Sequence, residues 1–352
     1  MIQLIRKIIF FLLIPFSILM IVEVALPSTL YTFRGYEAII FNSKIPHLGH
    51  FYPNYSIVKY AEGDLCHHSC NSIIKKEIWK TDEIGFRNDK FIKKPDVVLI
   101  GSSFIYGTGM TQTDVISNQL SKYLNNKFTV YNLAPSNLAE FDYYLREGII
   151  KKPKLIVYCV GEIQPSGGFV PFSKLTNSFI KKKVKNFLCS NSINSIIDRT
   201  TRFYSIKWIK ARLKKLENIG VRGEVNKKMF FAQGKKSTTI KGQRFELSIK
   251  NIKSCKRYCD SLGIKFLYLE TPKKETVYYD FVPLKNQSSY LLKLRERLIQ
   301  LNIKGIYSLS VFNKFRQTDN RLLYHLDDTH WNSLGVKLVS KEMADIILKL
   351  KL

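Results

Sequence analysis

The sequence predicts an α/β domain built on a parallel β-sheet and preceded by one N-terminal membrane helix. Residues 8–22 (IIFFLLIPFSILMIV) carry no charge. With the apolar residues up to 26 they approach the ~20 residues that a helix needs to cross a membrane. Further along the chain, short apolar runs alternate with segments of helical periodicity, and this β-α-β-α-β order is typical of parallel sheets with right-handed crossovers.

The apolar segment determines the expected compartment. Arg6 and Lys7 precede it, and positive charge on that side favours an N-inside orientation. A cleaved signal peptide, for which no A-x-A site is visible, and a buried core helix are the alternatives. An uncleaved single-pass anchor over residues 1–26 predicts that the rest of the chain folds outside the cytoplasm, in the periplasm or at the cell surface.

The composition indicates a folded protein with a basic surface. Of 352 residues, 45% are hydrophobic and 24% are charged, which excludes a disordered chain, collagen, a long coiled coil and a dense disulfide scaffold. The 56 Lys+Arg against 28 Asp+Glu give a formal net charge of +28. Acidic partners are one explanation. A generally basic surface is the other, because the lysines are spread along the whole chain.

The alternation of strands and helices begins after a loop-rich approach segment, residues 27–90. Short continuous apolar runs predict buried strands at 97–100, 128–131, 155–160, 265–269 and 305–309. Helical spacing predicts helices at about 115–124, 138–150, 244–262, 287–301 and 332–351. The α/β domain is therefore expected over 91–164 and 244–352.

Residues 165–243 interrupt this alternation and predict a basic, mostly helical insertion. Ile206, Ile209 and Leu213 have the spacing of an apolar stripe, and Trp208 lies beside it. Such a helix could rest on a membrane surface or bind an acidic polymer. Alternatively, its apolar stripe packs on the sheet.

Of the six cysteines, Cys159 lies in a predicted buried strand, Cys189 is unassigned, and the other four form two pairs. Cys66 and Cys70 flank a polar stretch with two histidines, and a disulfide, solvated thiols or a zinc site remain open for them. No second ligand pair with matching spacing supports the zinc site. Cys255 and Cys259 lie on the apolar face of a predicted helix, so we expect them in the core.

Ser103 is a candidate nucleophile. It follows the first predicted strand in the run Gly101-Ser102-Ser103-Phe104, and open α/β sheets place their sites just beyond the carboxyl ends of strands. The alternative is a strand-to-helix turn in which serine caps the helix. The run fits neither the G-x-S-x-G elbow of α/β-hydrolases nor a phosphate-binding P-loop.

A second segment, Asp327-Asp328-Thr329-His330, precedes the last predicted helix. A histidine with a nearby carboxylate can be a general base, because the carboxylate orients the imidazole and stabilises its protonated form. A serine hydroxyl needs such a base to become nucleophilic. The alternatives are a helix N-terminus with an incidental histidine, or a metal site for which no third ligand is evident.

Together, the two segments resemble the first and last blocks of the SGNH (GDSL-type) hydrolase superfamily, with Ser102 in the place of aspartate. The similarity is greatest to its membrane-anchored, alginate O-acetyltransferase-like branch. Three further stretches agree with that branch: 82–88, 130–133, and 271–273 followed by 277–278. The resemblance covers about 80–164 and 244–350, and implies a three-layer α/β/α, flavodoxin-like sandwich with a parallel sheet.

The resemblance also implies roles for individual residues. Ser103 matches the nucleophile, His330 the base and Asp328 the residue that orients it, with Asp327 as the alternative. Such a set attacks an ester carbonyl, forms an acyl-enzyme and passes the acyl group to water or to a sugar hydroxyl. No cofactor and no metal are implied.

The blocks that supply oxyanion donors depart from the family pattern. The Ser103 N–H is one donor, but the glycine block reads Asn-Leu-Ala-Pro-Ser-Asn and the Gly-x-Asn-Asp block reads Gly-Glu-Ile-Gln. Loss of one donor typically costs ~10²–10³ in rate. The candidates for oxyanion or substrate contacts are Ser102, Ala134, Asn137, Glu162 and Gln164.

Three functions are compatible with these observations. The first is a membrane-anchored O-acetyltransferase or acetylesterase acting on an envelope or secreted polysaccharide, with a separate membrane protein as acyl donor because no coenzyme motif is visible. The second is a catalytically inactive glycan-binding scaffold, which the altered oxyanion blocks favour. The third, a nucleic-acid binder, rests on charge alone, and the anchor and the lack of a binding module argue against it.

Overall fold

A computed structural model describes residues 2–40, 49–66, 72–162, 204–216, 224–225, 229–231, 242–282, 288–350 and 352. Cys70, Gln164 and Cys189 lie outside the described residues, as does most of the predicted insertion. The helices are, in chain order, α1 (Ile2–Ala25), α2 (Gly35–Ile39), α3 (Ser103–Tyr106), α4 (Ile116–Tyr123), α5 (Leu138–Arg146), α6 (Tyr204–Leu216), α7 (Gly242–Ser261), α8 (Lys274–Val277), α9 (Tyr290–Gln300), α10 (Ser308–Arg316) and α11 (Ser333–Lys349). The strands are β1 (Ser56–Ala61), β2 (Lys75–Lys80), β3 (Val97–Ile100), β4 (Val130–Asn132), β5 (Leu155–Gly161), β6 (Glu224–Val225), β7 (Met229–Phe230), β8 (Lys265–Thr271) and β9 (Gly305–Ile306).

Five parallel strands form the central sheet in the order β4-β3-β5-β8-β9. All four residues of β3 are buried, as expected for a strand that is covered on both faces. The chain leaves β3 towards β4 on one side and returns to β5 on the other. The boundary between β3 and β5 is therefore the topological switch point, where open α/β sheets bind their ligands.

Helices cover both faces of this sheet. Right-handed crossovers place α4 on one face and α5, α7 and α9 on the other, because the chain reverses direction after β4. The contacts agree: α4 packs against α11, and α7 packs against α9. Across the second face, the Tyr258 hydroxyl of α7 donates a 2.5 Å hydrogen bond to Asp142 of α5. The predicted three-layer α/β/α sandwich with a parallel sheet is confirmed.

Some predicted boundaries were wrong. The last strand is shorter than 305–309, because α10 begins at Ser308. The Ser308 hydroxyl donates to the Glu270 backbone oxygen, and the Leu309 N–H donates to the Glu270 carboxylate, so these bonds start a helix where a strand was expected. β4 begins two residues later than predicted, and α5 ends at Arg146. Cys255 and Cys259 are buried in the core, as predicted.

The approach segment contains more regular structure than the sequence predicted. Strands β1 and β2 pair as an antiparallel hairpin, and the buried ring of Trp79 on β2 packs edge-on against Phe51, with ring centroids 5.5 Å apart. The Arg87 guanidinium lies 3.5 Å from the centre of the Trp79 ring. It also donates to the backbone oxygens of Gly107 and Met110. The hairpin is thereby joined to the loop that follows Ser103.

Helix α1 is the one helix among the described residues that is long and apolar enough to cross a membrane. The candidate span is Ile2–Glu23, with a mean hydropathy of 2.3, and none of its most apolar window is buried inside the protein. This exposure is what a lipid-facing helix requires, and it does not fit the alternative of a buried core helix.

Candidate active site

Ser103 lies at the carboxyl end of β3, at the switch point of the sheet. It is the first residue of α3, so its N–H lacks an acceptor within the helix. Gly101 is needed before it, because a Cβ there would lie 2.7 Å from the Cβ of Cys159. Gly107 ends α3 in the left-handed conformation, with φ +78°, and turns the chain sharply away from the serine.

Ser103 is connected to His330 and Asp328 by two short hydrogen bonds. Ser103 Oγ is 2.7 Å from His330 Nε2, and His330 Nδ1 is 2.6 Å from Asp328 Oδ1. His330 and Asp328 are both buried. The order nucleophile, imidazole, carboxylate has the geometry of a Ser-His-Asp triad.

The loop that carries His330 is fixed at both ends. Tyr324 and Trp331 form an isolated antiparallel bridge, and the His325 N–H donates to the His330 backbone oxygen. Asn332 follows and caps α11 with its side-chain oxygen. The capping role that the sequence suggested therefore belongs to Asn332, which leaves the His330 imidazole available to Ser103.

Asp327 does not contact His330 and instead holds the approach segment. Its carboxylate accepts from the N–H groups of Gly63 (2.9 Å) and Ile73 (2.8 Å) and from the Lys75 ammonium (2.6 Å). Asp328, not Asp327, is thus placed to orient the imidazole. The two neighbouring aspartates point in different directions, one to the base and one to the segment that covers it.

Asp64 is a site residue that the sequence analysis missed. Its carboxylate lies 3.7 Å from His330 Nδ1, and it accepts from the N–H and the hydroxyl of Thr329, at 2.8 and 2.5 Å. The Asp64 N–H in turn donates to Asp328. Its position in a polar loop near Cys66 gave no signal, because only the fold brings that loop to the histidine.

Lys274 is a second residue that the sequence analysis missed. Its ammonium is buried and donates to three backbone oxygens of the histidine loop: His325 at 2.6 Å, Leu326 at 2.9 Å and Asp328 at 3.1 Å. Three donors meeting three carbonyls match the full capacity of an ammonium group. The lysine therefore fixes the backbone beside the triad. Its place directly after Thr271-Pro272-Lys273, a stretch that resembles the family, was the available signal.

The charges around His330 favour its protonated form. Burial alone would lower its pKa, but the carboxylates of Asp328 and Asp64 outweigh burial and raise the pKa above the ordinary 6.5. Asp328 is also buried, yet the contact with the imidazole holds its pKa well below the usual range. Burial, and then the nearby Asp328, raise the pKa of Asp64. An imidazolium formed as Ser103 loses its proton is therefore stabilised.

The same groups could in principle hold a cation. One ligand atom each from Asp64, Asp328 and His330 lie within 4.8 Å of one another. However, both ring nitrogens of His330 already face hydrogen-bond partners, Asp328 and Ser103. A metal on this set would have to displace the bond that orients the imidazole, so the geometry fits a catalytic triad better.

Two of the predicted oxyanion candidates, Ala134 and Glu162, are engaged elsewhere. The Ala134 N–H donates to the Asn132 side chain at 3.0 Å. The Asn137 side-chain oxygen caps α5, but the predicted donor was the backbone N–H of this residue, which the cap does not use. The buried Glu162 carboxylate accepts from the Lys273 N–H and the Thr276 hydroxyl. The backbone N–H groups of Ser103 and Asn137 are therefore the candidate oxyanion donors that these contacts leave in place.

A cleft of about 300 Å³ opens beside the candidate nucleophile at the switch point. His50 and Glu140 face each other at its edge, with His50 Nε2 3.7 Å from Glu140 Oε2. Ser102 lines the cleft directly before Ser103. The lining residues are His50, Gly101, Ser102, Pro135, Ser136, Asn137, Glu140, Tyr158, Cys159 and Val160. Ser102 and Asn137 were predicted at the substrate side, and both border this space.

No protein-family model matches the chain, and no curated protein matches it. Its fold is similar to those of solved G-D-S-L-type structures. A proposed lipolytic protein of the G-D-S-L family from Desulfitobacterium hafniense DCB-2 shares 12% identity over 72% of this chain and 99% of that one, with a TM-score of 0.36. A GDSL-like lipase from Bacteroides thetaiotaomicron VPI-5482 shares 12% identity over 73% of this chain and 89% of that one, with a TM-score of 0.33. A proposed acylhydrolase from Bacteroides fragilis NCTC 9343 shares 14% identity over 73% of this chain and 88% of that one, with a TM-score of 0.34. Similarity this low does not identify an activity.

Proposed function

We propose that the protein is a membrane-anchored, extracytoplasmic serine acyl-ester enzyme of the SGNH type. The observation that carries this proposal is the continuous hydrogen-bonded order Ser103 Oγ, His330 and Asp328, with distances of 2.7 and 2.6 Å. Within that class, an O-acetyltransferase or acetylesterase acting on an envelope or secreted polysaccharide fits best. The apolar, exposed α1 and the basic composition support a role at a charged cell envelope.

The chemistry follows from the three side chains. Ser103 Oγ attacks the ester carbonyl carbon while its proton passes to His330 Nε2, and Asp328 stabilises the imidazolium. The tetrahedral intermediate then collapses, and His330 returns the proton to the departing alcohol oxygen. The acyl group remains on Ser103 until water or a sugar hydroxyl attacks it and gives up its proton to His330. The second tetrahedral intermediate then collapses, the bond between the acyl carbon and Ser103 Oγ breaks, and His330 returns the proton to Oγ. Water gives hydrolysis, and a sugar hydroxyl gives transfer.

The proposal is tested with the full-length protein in detergent and an activated aryl acetate. We expect release of the aryl alcohol and an acetyl group on Ser103 that is visible in the mass of the intact protein. Ser103→Ala and His330→Ala should lose both signals, whereas Ser121→Ala, on the half-exposed side of α4, should keep them. Turnover that persists in both active-site variants would overturn the triad. If wild-type protein gives both signals, added polysaccharides distinguish transfer from hydrolysis, because transfer places the acetyl group on the polysaccharide and hydrolysis releases acetate.

A glycan-binding scaffold without catalysis is the second candidate. It is favoured by the engagement of the Ala134 N–H with Asn132, which removes one expected oxyanion donor. Glu162, in the block where the family has asparagine, accepts from Thr276, and an ionised carboxylate cannot donate to an oxyanion. A folded protein that binds a polysaccharide but yields neither turnover nor an acetylated Ser103 would support this alternative.

A further inference from the structure

Helix α6 begins beside the end of the membrane-crossing helix α1. The Ser205 N–H, in the first turn of α6, donates a 2.7 Å hydrogen bond to Glu23 Oε1, and both residues are buried. Glu23 is the last residue of the candidate span. The two helices also pack against each other. The start of α6 therefore lies at the level where α1 leaves the apolar part of a membrane.

One face of α6 is fixed to the folded domain. Arg212 donates a 2.6 Å hydrogen bond to Glu62, and its guanidinium lies 5.3 Å from the centre of the Phe33 ring. Ser205, Trp208 and Arg212 share this face, because residues three and four apart lie on the same side of a helix. The rotation of α6 about its axis is thus determined by contacts near both ends.

That rotation leaves the apolar stripe of α6 exposed. Ile209 and Leu213 lie one turn apart, and 42% and 58% of their surfaces are exposed. Lys207 and Lys210 are exposed on the adjoining face. The alternative in which this stripe packs on the sheet is therefore wrong for the described residues. Binding of an acidic polymer would use the lysines but would leave the stripe in water.

We propose that α6 lies in the interface of the membrane that α1 crosses. Ile209 and Leu213 enter the boundary between acyl chains and head groups, while Lys210 extends along the surface towards anionic lipid phosphates. Interfacial helices use this combination of an apolar face and lysines, and bury the apolar face by about 5–10 Å. Long lysine side chains can reach back to the head groups while their carbon stems lie along the apolar layer.

This placement holds the candidate active site close to the lipid surface. Glu62, which binds Arg212 of α6, directly precedes Gly63 and Asp64. Those two residues bind Asp327 and Asp328 beside His330. A short, continuous set of contacts therefore joins the interfacial helix to the histidine loop.

The test measures lipid contact at Leu213 in the full-length protein reconstituted into phosphatidylcholine vesicles with anionic phosphatidylglycerol. Leu213→Trp is combined with Trp208→Phe, and the remaining Trp79 and Trp331 are buried at 0% and 1% exposure. The matched control carries Leu292→Trp, at a position that is 54% exposed on α9. We expect lipids brominated at carbons near the head group to quench Leu213→Trp at least twofold more than Leu292→Trp, and lipids brominated deep in the chain to quench it less.

Equal quenching of the two probes would overturn the proposal, and would indicate that another part of the chain or a second copy covers the stripe. Stronger quenching by the deep bromines would overturn it too, because the helix would then be inserted rather than interfacial. Lys210→Glu, made in the Leu213→Trp protein, should reduce quenching in anionic vesicles. Lys253→Glu, at an exposed position on α7, should leave the quenching unchanged. No effect of Lys210→Glu would contradict the role of anionic lipid.

Discussion

The Asp64 carboxylate lies 3.7 Å from Nδ1 of His330, beside the 2.6 Å bond between that nitrogen and Asp328. The histidine thus faces two carboxylates, one in its own loop and one supplied by the approach segment. Thr329 fixes the second by two hydrogen bonds. Asp64 touches no reacting atom in this arrangement, so it is a positioning residue that also adds negative charge to the site.

Asp64→Asn should move the acidic limb of the pH–rate profile to lower pH. The base must be neutral to accept the Ser103 proton, so the rate rises as pH passes through the pKa of His330. That pKa is raised by Asp328 and Asp64 against the opposing effect of burial. Removing one carboxylate charge lowers it, while an asparagine oxygen can still accept from Thr329. The measurement is kcat/KM for an aryl acetate between pH 5 and 9.

Asp260→Asn is the matched control, because Asp260 is an exposed residue that pairs with Lys256 on the surface of α7. Its profile should coincide with that of the wild type. A limb that stays in place in Asp64→Asn, or that moves to higher pH, would show that Asp64 does not act on the imidazole.

The neighbouring aspartates should separate activity from stability. Asp328→Asn should lower kcat by ~10⁴, since an amide in this position favours the wrong imidazole tautomer. Asp327→Asn should keep most of the activity but lower the free energy of unfolding by about 1–3 kcal/mol, because its bonds to Gly63 and Lys75 are weakened. Urea unfolding measures the free energy of unfolding of both variants, and aryl acetate turnover measures their kcat. Comparable losses of kcat in the two would mean that the aspartates share the orienting role.

Lys274→Met should damage the histidine loop while leaving the three triad side chains in place. The substitution leaves three backbone oxygens without their ammonium donor, and unsatisfied buried acceptors cost about 1–3 kcal/mol each. We expect a fall in kcat with little change in KM, together with a lower melting temperature. Lys273→Met, at the half-buried neighbour, is the control. A wild-type kcat in Lys274→Met would remove the lysine from the positioning of the site.

The sequence predicted the parts of this site that lie in short motifs. Ser103 follows a buried strand and His330 precedes the last helix, so each could be found from its local pattern. Asp64 had no such pattern, and for Lys274 the place after Thr271-Pro272-Lys273 marked the position but not the role, because both roles depend on contacts with residues far away in the chain. Asp64 lies in a loop with no periodicity, and a buried lysine cannot be told from a surface lysine by its neighbours. In the same way, the α10 start at Ser308 depends on bonds to Glu270 that no local propensity reveals.

For the apolar stripe of α6, the sequence predicted the helix but not the surroundings of its apolar face. The spacing of Ile206, Ile209 and Leu213 predicted an amphipathic helix, and the helix is present. The spacing could not decide what the apolar face meets, because a core-facing stripe and a lipid-facing stripe have the same period. The bonds Ser205–Glu23 and Arg212–Glu62 decide the rotation of the helix, and neither pair is close in sequence.

Acid should destabilise the protein through His325, which is buried next to the triad. Burial lowers the pKa of this histidine from 6.5 to about 4, and its Nε2 has no hydrogen-bond partner among the described residues. Between those two values the unfolded chain binds a proton that the folded chain does not, so stability rises with pH across this window and falls as pH drops from 6.5 to 4. The difference amounts to about 3 kcal/mol. His325→Gln should reduce this loss, whereas His50→Gln, at the half-exposed edge of the cleft, should retain it. Urea unfolding at pH 7.0 and 4.5, monitored by tryptophan fluorescence, measures how much free energy of unfolding each protein loses in acid. If His325→Gln loses as much as the wild type, groups other than His325 cause the acid sensitivity.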